Sequence, residues 1–253
     1  MSVTRMALVQ ACDALLQPER FRDYGPNGLQ VEGRVQIRKI VSGVTASLAL
    51  IEAAIEEGAD ALFVHHGLFW RNQPSPVTGW MKQRLQRLLS NDLNLLAYHL
   101  PLDAHPQWGN NAQLGARLGW VSTQCFGEQD LGLLGAAANG QAYARVDDLA
   151  QHVAQVLGRV PTVAPGDGRP LQRLAWCTGG AQSYFEAAIA AEADVFLTGE
   201  ISEPQAHLAR ETGVAFIACG HHATERYGAP AVAAEIARQL GLTHTFIDID
   251  NPA

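Results

Sequence analysis

Apolar residues along this chain fall into two kinds of run. "KIVSGVT" (39–45), "ALFV" (61–64) and "LNLLAYH" (93–99) are short and almost continuously apolar, which predicts strands covered on both faces. Between them, "ASLALIEAAIEEG" (46–58) sets Leu48, Ile51 and Ile55 at helical spacing and ends on Gly58, a residue that stops helices. A second helical pattern covers "WMKQRLQRLLSND" (80–92), and residues 4–17 predict an amphipathic helix at the start. "DYGPNGLQVEG" (23–33) is rich in Gly, Pro and Asn and reads as a loop leading into a short strand. Asn110 is placed to cap a helix over 111–119.

The texture then changes. Residues 121–141 are Gly- and Ala-rich with weak periodicity, and "VDDLAQHVAQVLG" (146–158) predicts a short helix. "RVPTVAPGDGRP" (159–170), with three prolines and two glycines, predicts an exposed connector. Strand and helix signals resume in "LQRLAWCT", "AQSYFEAAIAAE", "ADVFLTGE" and "GVAFIACGHH", followed by a helix at 229–240 and a strand at 243–249.

The chain also repeats itself. Residues 37–67 align with 171–201, so that EAAI at 52–55 falls on EAAI at 186–189, and Ala59-Asp60 falls on Ala193-Asp194. Each copy reads strand, turn, helix, strand, the βαβ unit that favours a parallel pair with a helix packed on it. The expected fold is therefore α/β: two intertwined βαβ-containing repeats, with largely parallel or mixed sheets flanked by helices. The expected division is residues 1–124, carrying His65, His66 and Asp103, and residues 125–253, carrying His221 and Glu225.

Composition narrows the function. A hydrophobic share of 47% and a charged share of 17% describe a folded chain. The net charge of −7, with no Lys/Arg cluster interleaved with aromatics, argues against nucleic acid as a partner. No run reaches the roughly 18 apolar residues of a membrane span, and the N-terminus lacks a signal-peptide core, so the expected location is cytoplasmic. Cys12, Cys125, Cys177 and Cys219 are scattered without a CxxC pair, and all four are expected to be reduced core residues.

The chemistry-bearing residues lie where strands end. His65 and His66 follow "ALFV", and the third strand of each copy runs into His-x-x-x-acid: His99 to Asp103, and His221 to Glu225. In open α/β sheets ligands bind beyond the carboxyl ends of the strands. Imidazole and carboxylate together suit borderline divalent ions such as Zn, Fe, Mn, Co or Ni. Adjacent histidines on an extended backbone are expected to point to opposite sides, serving two neighbouring ions better than one. Five candidate ligands (His65, His66, Asp103, His221 and Glu225) are many for a single ion, and Glu225 could bridge two. Any one of these histidines alone is more simply a side chain bonded to backbone or water. Asn27 and Gly28 read first as a turn. Thr178, Gly179 and Gly180 read equally as a tight turn or a phosphate-holding helix start, and Glu200 as a capping acid or a group facing the same crevice. His105, His152, His207 and His244 read as surface or structural residues.

"VHHG", "HLPLD" and "TGE" with "GHHATE" together resemble the Nif-three-like family, whose members are also labelled GTP cyclohydrolase I type 2 homologues. The likeness runs from "DYGPNGLQVEG" to "FIDIDNPA" and is closest to the short bacterial form. It implies a dinuclear centre between two intertwined repeats, with ligands at His65, His66, Asp103, His221 and Glu225, and assembly into a ring-shaped hexamer. His222 departs from the family pattern, where many members carry an aromatic residue. His99 is not firmly a family ligand, and it reads as a residue that orients Asp103 or a water.

Two functions follow. The first is a metal-dependent hydrolase acting on a small molecule, with a nucleotide as the substrate class that the resemblance implies. Two divalent ions would make water a nucleophile near neutral pH, and His99 or His222 would move protons. The second is a non-catalytic ring that binds or delivers metal or docks a partner.

Overall fold

A computed structural model describes residues 2–253 of the chain and divides it into two compact units. One comprises residues up to Gly109 together with Gly228–Asp250; the other comprises Asn110–Tyr227 with Asn251–Ala253. The last helix and strand, assigned from sequence to the second repeat, thus belong to the first unit, and the division falls at 109/110 rather than at 124/125.

The first unit is built on a five-stranded sheet in the order Thr243–Phe246, Lys39–Thr45, Ala61–His66, Asn94–Ala97, Gly28–Val31. The first three pairings are parallel and the last is antiparallel. Because the strand period is two, Ile40, Phe63 and Leu96 face one side while Val41, Leu62 and Leu95 face the other. Helices Arg5–Leu16 and Gly228–Leu240 bury Leu8, Cys12, Val232 and Ile236 against the first face. Helices Leu48–Glu56 and Gly79–Ser90 bury Leu50, Ile51 and Leu88 against the second. Coverage on both faces explains why these strands are continuously apolar in sequence. Ser47 caps Leu48–Glu56 by accepting from the Leu50 N–H at 3.2 Å, and Gly58 takes a left-handed φ of 67° beyond its end.

The second unit carries a six-stranded sheet in the order Trp120–Phe126, Gly132–Ala137, Leu174–Trp176, Val195–Thr198, Ala215–Ala218, Thr162–Ala164. Its three central strands are parallel, and both flanks are antiparallel. One face packs Leu174, Trp176, Leu197 and Ile217 against Leu114, Leu149 and Val153. The other holds an aromatic cluster in which Phe185 meets Phe216 edge-on at 5.0 Å.

The internal repeat has a structural counterpart in each unit. Asp60 Oδ2 accepts from the Arg38 and Lys39 N–H groups at 2.7 and 3.1 Å, and its Oδ1 takes Arg34 at 3.0 Å. Asp194 Oδ2 accepts from Gln172 and Arg173 at 2.9 and 2.8 Å, and its Oδ1 takes Arg169 at 2.9 Å. In each unit this acid, just before the second strand, ties down the start of the first.

Four sequence expectations are corrected. Residues 121–141 hold an antiparallel strand pair, and the connector 159–170 contains the edge strand Thr162–Ala164. Cys125 is exposed rather than buried, because it sits on the edge strand Trp120–Phe126, whose middle five residues are all exposed. The four thiols are free. Helix Asn110–Arg117 begins at Asn110 itself, so this residue lies in the first turn rather than before it. Among the described residues no helix is long and apolar enough to cross a membrane.

Candidate metal centre

Strand Ala61–His66 delivers the histidine pair. His65 is fully buried, and its Nδ1 lies 3.1 Å from the Tyr98 carbonyl oxygen, which can only accept; Nδ1 therefore carries the proton, and Nε2 is left as a lone-pair donor. Nε2 faces Asp103 Oδ1 at 3.5 Å. His66 Nδ1 is 3.0 Å from Thr45 Oγ1, its ladder neighbour. The two rings are 4.4 Å apart at their centroids, so they gather on one side rather than diverging. The ladder to Asn94–Ala97 ends at Val64, while pairing with Lys39–Thr45 continues to His66.

Asp103 lies buried on the short helix Leu100–Ala104, which starts directly after strand Asn94–Ala97. His99 stands at the start of that helix. Its ring is 5.0 Å from His65 and 5.8 Å from His66, and ring nitrogens of these three residues lie within 4.8 Å of one another.

The sequence reading missed Asp23. Its Oδ1 accepts from His99 Nδ1 at 2.6 Å, and its Oδ2 accepts from the Leu100 N–H and from Asn27 Nδ2, both at 2.9 Å. Burial works against the Asp23 carboxylate, but the bond and charge of His99, with Asn27 and the Leu100 N–H, hold its pKa below the ordinary value. Asn27 Oδ1 also accepts from the His99 N–H at 2.7 Å, so this turn residue does reach the site. The only sequence signal for Asp23 is its place four residues before Asn27 in a loop of turn formers.

In the second unit His221 and Glu225 sit one helical turn apart on His221–Glu225, just past strand Ala215–Ala218. The His-x-x-x-acid spacing of the sequence is thus realised here as an i, i+4 pair on one helix face. His221 Nδ1 is 2.6 Å from Glu200 Oε1, and Nε2 is 3.0 Å from Glu225 Oε2. Burial disfavours the imidazolium, yet Glu225 and then Glu200 outweigh it and push the His221 pKa up to about 9. Glu200 therefore anchors His221 rather than capping a helix. His222 is the next residue on the same helix, about 100° around it, and its backbone N–H donates to the Ala253 carbonyl at 3.1 Å.

Thr178, Gly179 and Gly180 do not form a phosphate-holding helix start, since a turn of 3-10 helix precedes the six-residue helix Phe185–Ala190. Gly179 instead makes room for the acid. It adopts φ 70°, and a Cβ there would collide with Glu225 Oε1 and lie 3.2 Å from His221 Nε2. Its carbonyl accepts from Thr198 Oγ1 at 3.0 Å, and its N–H donates to Thr224 Oγ1 at 3.0 Å.

The remaining histidines are structural. His152 bonds the Leu118 carbonyl, His244 pairs with Ser42, His207 with Glu203, and His105 accepts from the N–H groups of Gln107 and Trp108.

These side chains are groups that could hold a metal ion. The mixture of imidazole and carboxylate suits a borderline divalent ion, and His65 and His221 each have one nitrogen anchored while the other faces a carboxylate.

Comparison with known proteins gives a consistent answer. The family model for Duf34/NIF3 (NGG1p interacting factor 3) matches residues 3–252. A protein of Neisseria meningitidis serogroup A, named GTP cyclohydrolase 1 type 2 homolog, is 52% identical over 251 residues, covering 99% of this chain and 100% of its own. A solved structure described as protein ybgI, of unknown function, superposes with a TM-score of 0.94 at 44% identity, over 99% of this chain and 100% of that one. Another, from Thermus thermophilus, gives 0.88 at 33% identity, with 99% and 100% covered. With both units matched and the motifs around His65, Asp103 and Glu225 inside the matched span, the chain belongs to the Duf34/NIF3 family.

Proposed function

We propose that this protein is a metal-dependent hydrolase of small molecules, its ions held by His65, His66, Asp103, His221 and Glu225. One observation carries the reading: both units present the same device. In the first, His65 is anchored through Nδ1 by the Tyr98 carbonyl and turns Nε2 toward Asp103. In the second, His221 is anchored through Nδ1 by Glu200 and turns Nε2 toward Glu225. Fixing the outer nitrogen of a ligand imidazole orients the ring and sets its tautomer, the arrangement typical of metal-binding histidines. Each unit by itself thus offers imidazole and carboxylate groups that would hold a divalent ion.

Bound divalent ions would supply a water acidified toward neutral pH and polarise an oxygen or ring atom of the substrate. The chain's own part is to hold and to move protons. Asp23 keeps the proton on His99 Nδ1, so that Nε2 is the atom that takes a proton from the attacking water or returns it to the leaving atom. His222 is a second proton carrier in this scheme. The name that these relatives carry, GTP cyclohydrolase 1 type 2 homolog, supports a nucleotide-like substrate. The family resemblance further supports a homo-oligomeric, ring-shaped assembly, which sedimentation of the purified protein checks.

The test is elemental analysis of the purified protein, which should give about two divalent ions (Fe, Zn or Mn) per chain, as two-metal hydrolytic sites hold. The variant combining His65→Ala with Glu225→Ala should keep its circular dichroism and lose most of the metal. Full occupancy in that variant would sink the ligand assignment. Absence of turnover on a panel of nucleotides and phosphoesters by the loaded protein would sink the hydrolase.

A further inference from the structure

In the first unit an open surface cleft of about 400 Å³ lies between two loops and is lined by Asp23, Tyr24, Gly25, Pro26, Phe69, Trp70 and Arg71. Its size lies within the range of small-molecule sites. Three aromatic side chains meet there. Tyr24 is 60% exposed and Phe69 36%, a cost in exposed apolar surface that folding does not require. Trp70 stands edge-on to His99, with ring centroids 5.0 Å apart and planes at 89°. Tyr24 meets the same imidazole edge-on at 6.1 Å. Neither ring lies flat on the histidine.

Gly25, Pro26, Phe69 and Trp70 also line a smaller, more enclosed pocket of about 10 Å³ whose wall includes His65 and His99, so the cleft lies next to the histidines. The loops are tied together. The Arg71 N–H donates to the Tyr24 carbonyl at 2.6 Å, and the Arg71 guanidinium donates to the Asp23 carbonyl at 2.9 Å. Gly25 permits this approach, because a Cβ there would collide with the Phe69 carbonyl. Arg71 thus spends one donor on a neutral oxygen and, among the described residues, forms no ion pair, leaving a positive charge at the rim.

We propose that this cleft binds a planar aromatic ring carrying an anionic group, the ring stacked on Trp70 and Tyr24 and the anion at Arg71. As the substrate class of the metal centre, this rests on the hydrolase reading above. Stacking on an indole recognises any flat π-system, and the guanidinium supplies charge-assisted hydrogen bonds to phosphate or carboxylate. The ring is thereby held beside the two aromatic side chains that contact His99.

The test is calorimetric titration of the whole protein, metal-loaded and metal-stripped, with adenosine 5′-monophosphate, pyridine-3-carboxylate and ribose 5-phosphate. The two aromatic anions should bind, and ribose 5-phosphate should bind at least about tenfold more weakly, the order of one lost base–aromatic stack. Trp70→Ala should weaken the aromatic anions by a similar factor, Trp70→Phe should restore most of it, and metal content should stay unchanged in both. Arg71→Ala should weaken adenosine monophosphate and leave adenosine unaffected. Equal affinity for ribose 5-phosphate, or undiminished binding by Trp70→Ala, overturns the proposal whatever the metal content. Trp70-dependent binding by a protein that holds no metal would uphold the cleft while the metal reading failed.

Discussion

Glycine at position 179 shows how much one residue can decide. With φ at 70° it occupies the left-handed region that costs other residues roughly 1–2 kcal/mol, and its missing Cβ is the space in which Glu225 sits. Gly158 has the same φ of 70° with nothing within 4 Å, so it isolates the backbone cost. Gly158→Ala should therefore destabilise by about 1 kcal/mol and leave metal content alone. Gly179→Ala should destabilise by more and release metal, as read by thermal unfolding and elemental analysis. Equal effects of the two on metal content would show that the room beside Glu225 is irrelevant to ligation. At this scale the sequence was legible for donor types and poorly legible for their orientation. His65, His66, Asp103, His221 and Glu225 stand out by chemistry and position, whereas Asp23 does not, because its partners His99 and Leu100 are more than seventy residues away. The convergence of the His65 and His66 rings was likewise hidden, since alternation along a strand predicts that neighbouring side chains diverge.

Among the elements, strands with both faces covered were the easiest to read. Lys39–Thr45 matches its apolar run residue for residue, and helix Leu48–Glu56 lies between its capping Ser47 and its terminal Gly58. Trp120–Phe126 escaped because five consecutive exposed side chains carry no alternation, and Thr162–Ala164 because three residues among prolines carry almost no pattern. The pairing of Thr243–Phe246 with Lys39–Thr45 has a measurable consequence. His244 Nε2 lies 2.8 Å from Ser42 Oγ, and burial holds the imidazole pKa below 6.5. On acidification the unfolded chain takes up this proton before the folded one does. Stability from a neutral His244 is therefore complete above about pH 6.5 and is lost as pH falls toward the folded-state value. The denaturant midpoint should drop between about pH 7 and pH 5, and His244→Asn should flatten part of that slope. An identical pH profile in the variant would mean that His244 does not contribute.

At the level of the molecule the chain leaves the first unit at Gly109 and returns to it at Gly228. Helix Gly228–Leu240 contributes Val232 and Ile236 to the core around Leu8, Ile40 and Phe63, each fully buried apolar side chain being worth about 1.5–3 kcal/mol. A fragment ending at 109 lacks this helix and the strand beside Lys39–Thr45, so it should give the poorly dispersed amide spectrum of an unfolded chain. The fragment 110–227 keeps a complete sheet and the core around Trp176 and Leu197, and it should give a dispersed one. A well-folded 1–109 would show that the returning segment is dispensable.

By itself the sequence determined the α/β class, the repeated unit with its EAAI and Ala-Asp marks, and which strand ends carry imidazole and carboxylate side chains. All of these follow from local periodicity and side-chain type. Tertiary structure alone decided that the C-terminal helix and strand complete the first unit, that Asp23 holds His99, and that Tyr24 and Trp70 flank a cleft beside it. These are contacts between residues distant along the chain, set by which surfaces the packed elements bring together, and no local pattern of hydrophobic and polar positions encodes them.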